Sequence, residues 1–286
     1  NHFLKKHLFR QKKHGFQFTM TTTSKIINEI RRIIAEIIIS EDEKNEFKFW
    51  QEPIIGFAST EDVIFVKLRQ WTSQEHLMPE DILVNAATVV VYFIPYRKEV
   101  GKSNNKGRNA SQIWGEAYIK TNSLSSKIKP EMKALFEGKG FKCEFTPATH
   151  NFTPEKLISN WSHRHLAYIA GIGTLGKNNM LITQKGCSGR LESFITDCRL
   201  EPTKRPEQDF CLSKLNYTCD KCLKRCVNDS LSKSGFDRFR CYEMCLENDE
   251  HLSNIGLSDV CGKCLIGIPC AWANPSQKVR TNRSGG

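Results

Sequence analysis

Cysteine placement constrains the fold of this chain more than any other feature. Nine of its twelve cysteines lie between residues 211 and 270. In Cys219-x2-Cys222 and Cys261-x2-Cys264, one tight turn can present two sulfurs to a single metal centre. Thiolates at this density bind soft metals, so we expect this segment to be held together mainly by metal sites rather than by a large apolar core.

The order of these cysteines is typical of a domain with two iron–sulfur clusters, whose ligands cross between the two halves of the sequence. On that pattern one [4Fe–4S] cluster takes Cys211, Cys219, Cys222 and Cys270, and the other takes Cys226, Cys241, Cys261 and Cys264. Asn216 stands where the bacterial cluster motif has its first cysteine, and Val227 replaces its proline. Cys211 is therefore expected to supply the missing thiolate, with Cys245 as the substitute if Cys211 lies too far away.

Two other uses of the cysteines stay open. Structural zinc also uses C-x2-C pairs, although the x3 and x5 spacings and the interleaved order favour iron–sulfur cubes. Disulfides are disfavoured because the sequence shows no export signal, which predicts the reducing cytoplasm as the compartment. Oxygen-sensitive clusters further suggest an anaerobe. No run of about 18 apolar residues occurs, so no membrane span is expected.

Composition divides the chain into a short basic leader and two domains. Residues 1–19 supply five of the positive charges behind the net charge of +11 and no acid, and Met20 follows them. We interpret this segment as a disordered leader or tag. Residues 20–203 are predicted to form an α/β domain, and residues 204–286 a ferredoxin-type domain after a Pro/Lys/Arg/Glu-rich linker at 201–208.

Within the first domain, hydrophobic periodicity predicts alternating helices and strands. Ser24 is the expected N-cap of the first helix, and Pro154 stands at the first turn of a later one. The predicted helices are 24–38, 112–122, 128–138 and 153–169; the predicted strands are 53–58, 87–94 and 141–145, with a closing strand pair of 179–183 and 193–197.

A glycine motif follows the last of these helices. Gly171-x-Gly173-x-x-Gly176 matches the dinucleotide fingerprint in spacing, but that fingerprint needs a strand before it and a helix after it. Here a helix is expected before and a strand after, which disfavours a nicotinamide site. Three glycines in six residues still allow the backbone to run close against something flat or bulky. Polar groups at the same turn come from Lys177, Asn178 and Asn179.

Residues 162–182, SHRHLAYIAGIGTLGKNNMLI, resemble the AGLGWxGKNxLLI signature of epoxyqueuosine reductases, and the cysteine segment follows at the expected distance. The resemblance covers about residues 50–275. It implies a nitroreductase-like corrinoid-binding domain followed by a ferredoxin-like domain, an arrangement that reductive dehalogenases share. It further implies that the glycine turn and its polar neighbours, Gly171, Gly173, Gly176, Lys177, Asn178 and Asn179, pack against a corrin ring. The clusters would then pass electrons from a ferredoxin or flavodoxin to the cobalt of a cobalamin.

The sequence departs from that family at several positions. Leu157 stands where the family carries its catalytic acid, and no room remains for the helical repeats that extend those enzymes toward tRNA, which leaves a tRNA partner unsupported. With that acid missing, His163 and His165 are candidate proton donors, and Tyr118 is a further candidate because its helix resembles the one that flanks the substrate cavity in the family. The alternative for all three is a purely structural role. Two histidines two residues apart on a helix point to different sides, so we do not expect them to share one role.

These patterns together predict an iron–sulfur oxidoreductase that resembles epoxyqueuosine reductase and acts on a small or nucleoside-like substrate. The alternative is a non-catalytic electron-transfer module that serves a partner enzyme. A zinc-stabilised nucleic-acid binder is disfavoured because the basic stretches carry few aromatic residues.

Overall fold

The computed structural model describes residues 3–146 and 152–277, with side chains from residue 22 onward. Its helices are α1 Phe3–Glu43, α2 Leu68–Trp71, α3 Pro79–Ile82, α4 Lys98–Ser103, α5 Gln112–Glu137, α6 His163–Ile169, α7 Lys221–Arg225 and α8 Arg238–His251. Its strands are β1 Ile54–Ser59, β2 Thr88–Pro95, β3 Cys143–Phe145, β4 Phe152–Thr153, β5 Ile158–Ser159, β6 Gly173–Leu175, β7 Leu181–Thr183 and β8 Gly189–Thr196.

Helix α1 begins well before the expected N-cap. Ser24 lies inside it, and the segment interpreted as a disordered leader is drawn as helix from Phe3 onward. No proline interrupts the sequence between Phe3 and Glu43, so nothing in the backbone forces a helix start at Ser24. The isoleucines of α1 that recur every fourth residue are buried and pack the helix against α5: Ile26, Ile30, Ile34 and Ile38.

A four-stranded sheet in the order β1-β2-β8-β3 forms the centre of the molecule. Every neighbouring pair is antiparallel. All eight residues of β2 are buried, because helices cover both faces of the strand that lies between β1 and β8. The mixed α and β content agrees with the predicted fold class, whereas the closing strand pair was wrong: β8 joins the central sheet and β7 pairs with β6 in a separate hairpin.

Two helix predictions differ from the structure. The stretches 112–122 and 128–138 form the single helix α5, in which Pro130 is exposed, so the carbonyl that its missing N–H leaves unpaired can reach water. The predicted helix 153–169 is instead a short hairpin, β4 with β5, followed by the seven-residue α6. Leu157 adopts a φ of 48° in the turn of that hairpin, a left-handed conformation that no α-helix contains.

The cysteine segment packs directly on the first domain. The residues expected to form a linker run along the edge of β1, where Thr203 N donates to Phe57 O at 2.9 Å and Phe57 N donates to Thr203 Oγ1 at 3.0 Å. Arg205 forms an ion pair with Asp62 at the end of the same edge. One apolar cluster continues from the isoleucines of α1 to Leu231, Leu265 and Ile268. Among the described residues, no helix is long and apolar enough to cross a membrane.

Candidate functional site

The cysteines of the segment gather in two neighbouring groups. Cys211, Cys219, Cys222 and Cys270, which we name the first thiol group, line one cavity together with Gly176, Lys177 and Asn178. Burial, together with negative charge on the other three sulfurs of this group, raises the pKa of Cys222 to about 11. The four thiols that the crossed pattern assigns to one cluster are therefore close neighbours, although Cys211 and Cys270 are almost sixty positions apart in the sequence.

The second thiol group consists of Cys226, Cys241, Cys261 and Cys264. Cys264 is half-buried, and desolvation together with the charges of the other three sulfurs raises its pKa well above its usual range. Negative charge on Cys222 of the first thiol group also raises the pKa of Cys264, so the two groups are neighbours at these two residues. Cys245 lies one helical turn after Cys241 on α8 and hydrogen-bonds with it, which places this extra thiol beside the second group rather than the first.

Cys187 is a further thiol that the sequence analysis did not assign. It precedes β8, is fully buried, and its Sγ hydrogen-bonds the sulfur of Cys270. Backbone bonds hold the two segments together, since Cys187 N donates to Cys270 O at 3.0 Å and Ser188 N donates to Ala271 O at 3.1 Å. No spacing rule could have found this residue, because it reaches the first thiol group only through the packing of the two domains.

The donor chemistry of both groups suits iron–sulfur clusters. Each supplies four thiols, and thiolates are the ligands that hold these clusters. Because like charges and burial keep several of these thiols protonated without metal, binding of a cationic centre is expected to release protons. In the part of the chain that the structure describes, no three His, Cys, Asp or Glu side chains converge on a single ion position.

The residues of the glycine turn have separate surroundings. A Cβ on Gly171, whose φ is 74°, would lie 2.8 Å from Thr203 O, and one on Gly173 would lie 2.2 Å from Ile182 O. The backbone of residues 182 and 203 thus lies against these two glycines, in the place where the family resemblance predicted a corrin ring. Gly176, Lys177 and Asn178 instead line the cavity that the first thiol group also lines. Asn178 Nδ2 donates to Cys264 O at 3.1 Å.

Asn179 and His165 line a cleft of about 230 Å³ that we name the arginine cleft. Its other polar and aromatic lining residues include Trp71, Ser162, Arg164, Phe236 and Arg238. Arg164 donates to Asn179 O at 3.1 Å. The hydrogen bond with Cys245 lowers the pKa of Cys241, and the guanidinium of Arg164 lowers it further. Since Cys241 belongs to the second thiol group, the cleft opens beside one face of that group.

The two candidate histidines have different partners. His163 Nδ1 lies 2.8 Å from Ser193 Oγ on β8, in the interior, whereas His165 Nδ1 lies 2.7 Å from Ser162 Oγ and its ring stacks on Trp71 at 6.1 Å. Only His165 lines the arginine cleft. Burial, with a smaller contribution from Arg164, lowers the pKa of His165 to about 4, so its imidazole is neutral at pH 7.

The lowered pKa of His165 predicts a pH dependence of stability. The ordinary pKa is 6.5, so the unfolded chain binds this proton more tightly than the folded chain does. The stability that the neutral imidazole contributes to the folded chain is therefore fully present above pH 6.5, and it is lost as the pH falls from 6.5 toward about 4. Urea unfolding of His165→Gln is expected to show a weaker pH dependence in this window. His251→Gln, at the exposed end of α8, is the control and should keep the full dependence; equal slopes in both variants would contradict the prediction.

Tyr118, the third candidate, lies on α5 away from the arginine cleft. Its hydroxyl donates to Asp259 Oδ1 at 2.6 Å, and the guanidinium of Arg190 lies 4.4 Å from the centre of its ring. Burial, supported by the bond to Asp259, raises the pKa of this phenol. The charge of Asp259 also raises the pKa of Cys245. The carboxylate of Asp259 therefore links Tyr118 to the extra thiol beside the second group.

His76 is a second residue that the sequence analysis missed. It is fully buried, its Nε2 accepts from Ser162 N at 2.9 Å, and its ring stacks on Trp161. It thereby fixes the start of α6, the helix that carries both candidate histidines. Its contact with Ser162 joins positions 86 residues apart, and no sequence motif indicates such a contact.

No protein-family model matches the sequence, and no curated protein matches it. Solved structures do match the fold. A selenomethionine-labelled epoxyqueuosine reductase superimposes with a TM-score of 0.56 at 17% identity over 88% of this chain and 66% of its own length. The epoxyqueuosine reductase from Streptococcus thermophilus gives a TM-score of 0.53 at 19% identity over 85% of this chain and 65% of its own.

A reductive dehalogenase whose structure suggests a mechanism for B12-dependent dehalogenation matches equally well. Its TM-score is 0.56 at 15% identity, and the match covers 86% of this chain but 33% of the dehalogenase. This chain therefore spans just under two thirds of the matched epoxyqueuosine reductases and one third of the dehalogenase. The resemblance inferred from residues 162–182 is confirmed at the level of the fold: the chain has the mixed α and β architecture that epoxyqueuosine reductases and reductive dehalogenases share.

Proposed function

We propose that this protein is an iron–sulfur oxidoreductase that resembles epoxyqueuosine reductase and passes electrons through two [4Fe–4S] clusters. The observation that carries the proposal is the gathering of eight cysteines into two adjoining groups of four. Cys211, Cys219, Cys222 and Cys270 would hold one cluster, and Cys226, Cys241, Cys261 and Cys264 the other. An iron–sulfur cluster supplies one-electron transfer, and Cys222 of the first thiol group lies within electrostatic range of Cys264 of the second.

The surroundings of the two thiol groups suggest that electrons enter at the first group and leave from the second. The first thiol group lies beside the exposed Lys221. Lys214 and Lys224 of the same segment are also exposed, and each forms an ion pair, with Asp209 and Asp220 respectively. A basic surface attracts an acidic carrier, so a ferredoxin or flavodoxin is the proposed electron donor. The second thiol group adjoins the arginine cleft through Cys241, which makes the cleft the proposed place of the electron acceptor.

The arginine cleft suits a flat, polar or anionic group. Trp71 and His165 offer ring faces, while Arg164 and Arg238 offer guanidinium groups that recognise carboxylate or phosphate. At about 230 Å³ the cleft is smaller than most ligand sites and does not enclose a whole corrinoid. The proposed occupant of the cleft is therefore a small or nucleoside-like substrate, and a cobalamin would have to extend beyond it.

His165 is the candidate proton donor that the cleft favours. Its Nδ1 is hydrogen-bonded with Ser162 Oγ, so Nε2 is the ring nitrogen that would interact with a molecule in the cleft. Because its lowered pKa keeps the imidazole neutral at pH 7, His165 would first have to take up a proton and then pass it on from the imidazolium; the neutral ring offers a hydrogen bond from Nε2 but does not release that proton. His163 would support the helix through Ser193, and Tyr118 would act on the second cluster through Asp259.

Metal analysis after anaerobic purification and incubation with cobalamin tests the proposal. We expect about eight irons per chain and retention of one cobalt after gel filtration. Eight irons with no retained cobalt would support the second candidate, a non-catalytic electron-transfer module, which the small volume of the cleft also favours. Zinc in place of iron would overturn both. The control is Cys198→Ala, whose buried thiol has none of the other cysteines among its electrostatic neighbours.

A further inference from the structure

Lys263 is a buried cation in the loop that joins Cys261 to Cys264. Its side chain is 1% exposed, which is unusual because transfer of an ammonium from water to a protein interior is strongly unfavourable unless the charge is compensated. Most lysines of this segment, such as Lys221, lie on the surface. The burial of this one therefore needs a physical cause.

Hydrogen bonds account for only part of that compensation. Lys263 Nζ donates to Asn104 O at 3.0 Å and to Lys106 O at 2.7 Å. Both acceptors are neutral carbonyls, and within the described residues no carboxylate forms an ion pair with this ammonium. The nearest guanidinium, that of Arg225, adds positive charge, since Arg225 Nε donates to Lys263 O at 3.4 Å.

The second thiol group supplies a negative charge that acts on this ammonium. Cys261 and Cys264 flank Lys263 at two and one positions. Burial lowers the pKa of Lys263, and charge on Cys261 opposes that effect by stabilising the ammonium. A [4Fe–4S] cluster with four thiolates carries net negative charge and gains one more on reduction. Hydrogen bonds, net charge and solvent exposure set the reduction potential of such clusters, so a fixed buried cation favours the reduced state.

We propose that Lys263 is a positioning residue that compensates the charge of the second cluster and raises its reduction potential. This inference rests on the proposed function, because it needs a cluster on the second thiol group. Solvent would screen the same charge on the surface, whereas at 1% exposure it is screened much less.

A purely structural role is the competing explanation. Lys263 joins residues 104–106 of the first domain to the cysteine segment, and Asn104 Nδ2 strengthens the same joint by donating to Cys261 O at 2.8 Å. If Lys263 only held the two segments together, its hydrogen bonds would be needed but its charge would not. Lys263→Gln keeps N–H donors without charge, Lys263→Met removes both, and Lys263→Arg keeps both.

The experiment is a redox titration of the anaerobically purified chain, followed by electron paramagnetic resonance, with iron content measured on the same samples. We expect Lys263→Gln and Lys263→Met to lower the midpoint potential of one cluster by at least a tenfold change in its reduction equilibrium, about 59 mV for one electron. Lys263→Arg should retain the wild-type potential. Lys221→Gln is the matched control, since this exposed lysine also precedes a cluster cysteine and its loss should shift the potential far less.

Each outcome distinguishes the two proposals. Unchanged potentials in iron-loaded Lys263→Gln and Lys263→Met would overturn the role of Lys263 and leave the proposed function intact. A wild-type chain that binds no iron would overturn the proposed function and the inference together. Loss of iron from both neutral variants but not from Lys263→Arg would support the need for charge, whereas loss from all three would refute it.

Discussion

Replacing Cys264 by alanine is expected to remove about half of the bound iron, roughly four of eight atoms per chain, and to lower the urea midpoint of unfolding. Cys264 is a half-buried thiol of the second group and lies within electrostatic range of Cys226, Cys241 and Cys261. A cluster that loses one of four thiolates binds less tightly, and its binding free energy is part of the folding free energy of this segment.

Iron analysis and urea unfolding of the same anaerobic sample measure both effects. Cys198→Ala is the control, because Cys198 is a buried free thiol that lies after β8 and has none of the cysteines of either thiol group among its electrostatic neighbours. We expect it to keep all of its iron and to lose only the packing of one small side chain. Full iron content in Cys264→Ala would contradict the assignment of this residue to a cluster.

Replacing Gly262 by alanine is expected to destabilise the chain by about 2 to 5 kcal/mol. Gly262 has a φ of 71°, a left-handed conformation that costs an alanine about 1 to 2 kcal/mol. Its Cβ would also lie 2.1 Å from a ring carbon of Trp114, which is 2% exposed in the core of the first domain. The indole cannot move without disturbing the joint between α5 and the loop of the second thiol group.

Gly107→Ala separates these two costs. Gly107 has the same φ of 71°, but nothing lies within 4 Å of the position that its Cβ would take. We expect this variant to show the conformational cost alone, about 1 to 2 kcal/mol in urea unfolding. Equal losses in the two variants would show that Trp114 accommodates the extra carbon and would contradict the predicted clash.

Both predictions concern the contact between the first domain and the cysteine segment, where most of the candidate chemistry lies. Cys187 reaches Cys270 there, Lys263 reaches the carbonyl of Asn104, and Asn178 donates to Cys264 O. The proposed clusters are therefore packed against the sheet rather than carried on a separate unit. Electron transfer to the arginine cleft would use the same contact, through Cys241 and Arg164.

Local patterns in the sequence predicted more of the fold than of the site. Buried β-branched runs predicted β1 and β2 within a residue at each end, because a strand of this kind shows its burial in its own composition. The pattern could not exclude a helix at 153–169, since Thr, Pro and Glu are typical of a helix start. The structure instead has a hairpin there, whose turn places Leu157 at a φ of 48°.

The sequence by itself determined which cysteines can share a turn, because two residues between thiols is a property of the local backbone. It also indicated the two sets of four and the helix before the glycine turn. Only the tertiary structure decided that Cys187 and Lys263 join these groups, that β7 pairs with β6, and that His165 rather than His163 faces the cleft. The physical reason is that burial and long-range contact depend on how the sheet, α5 and the cysteine segment pack, and no local spacing encodes that packing.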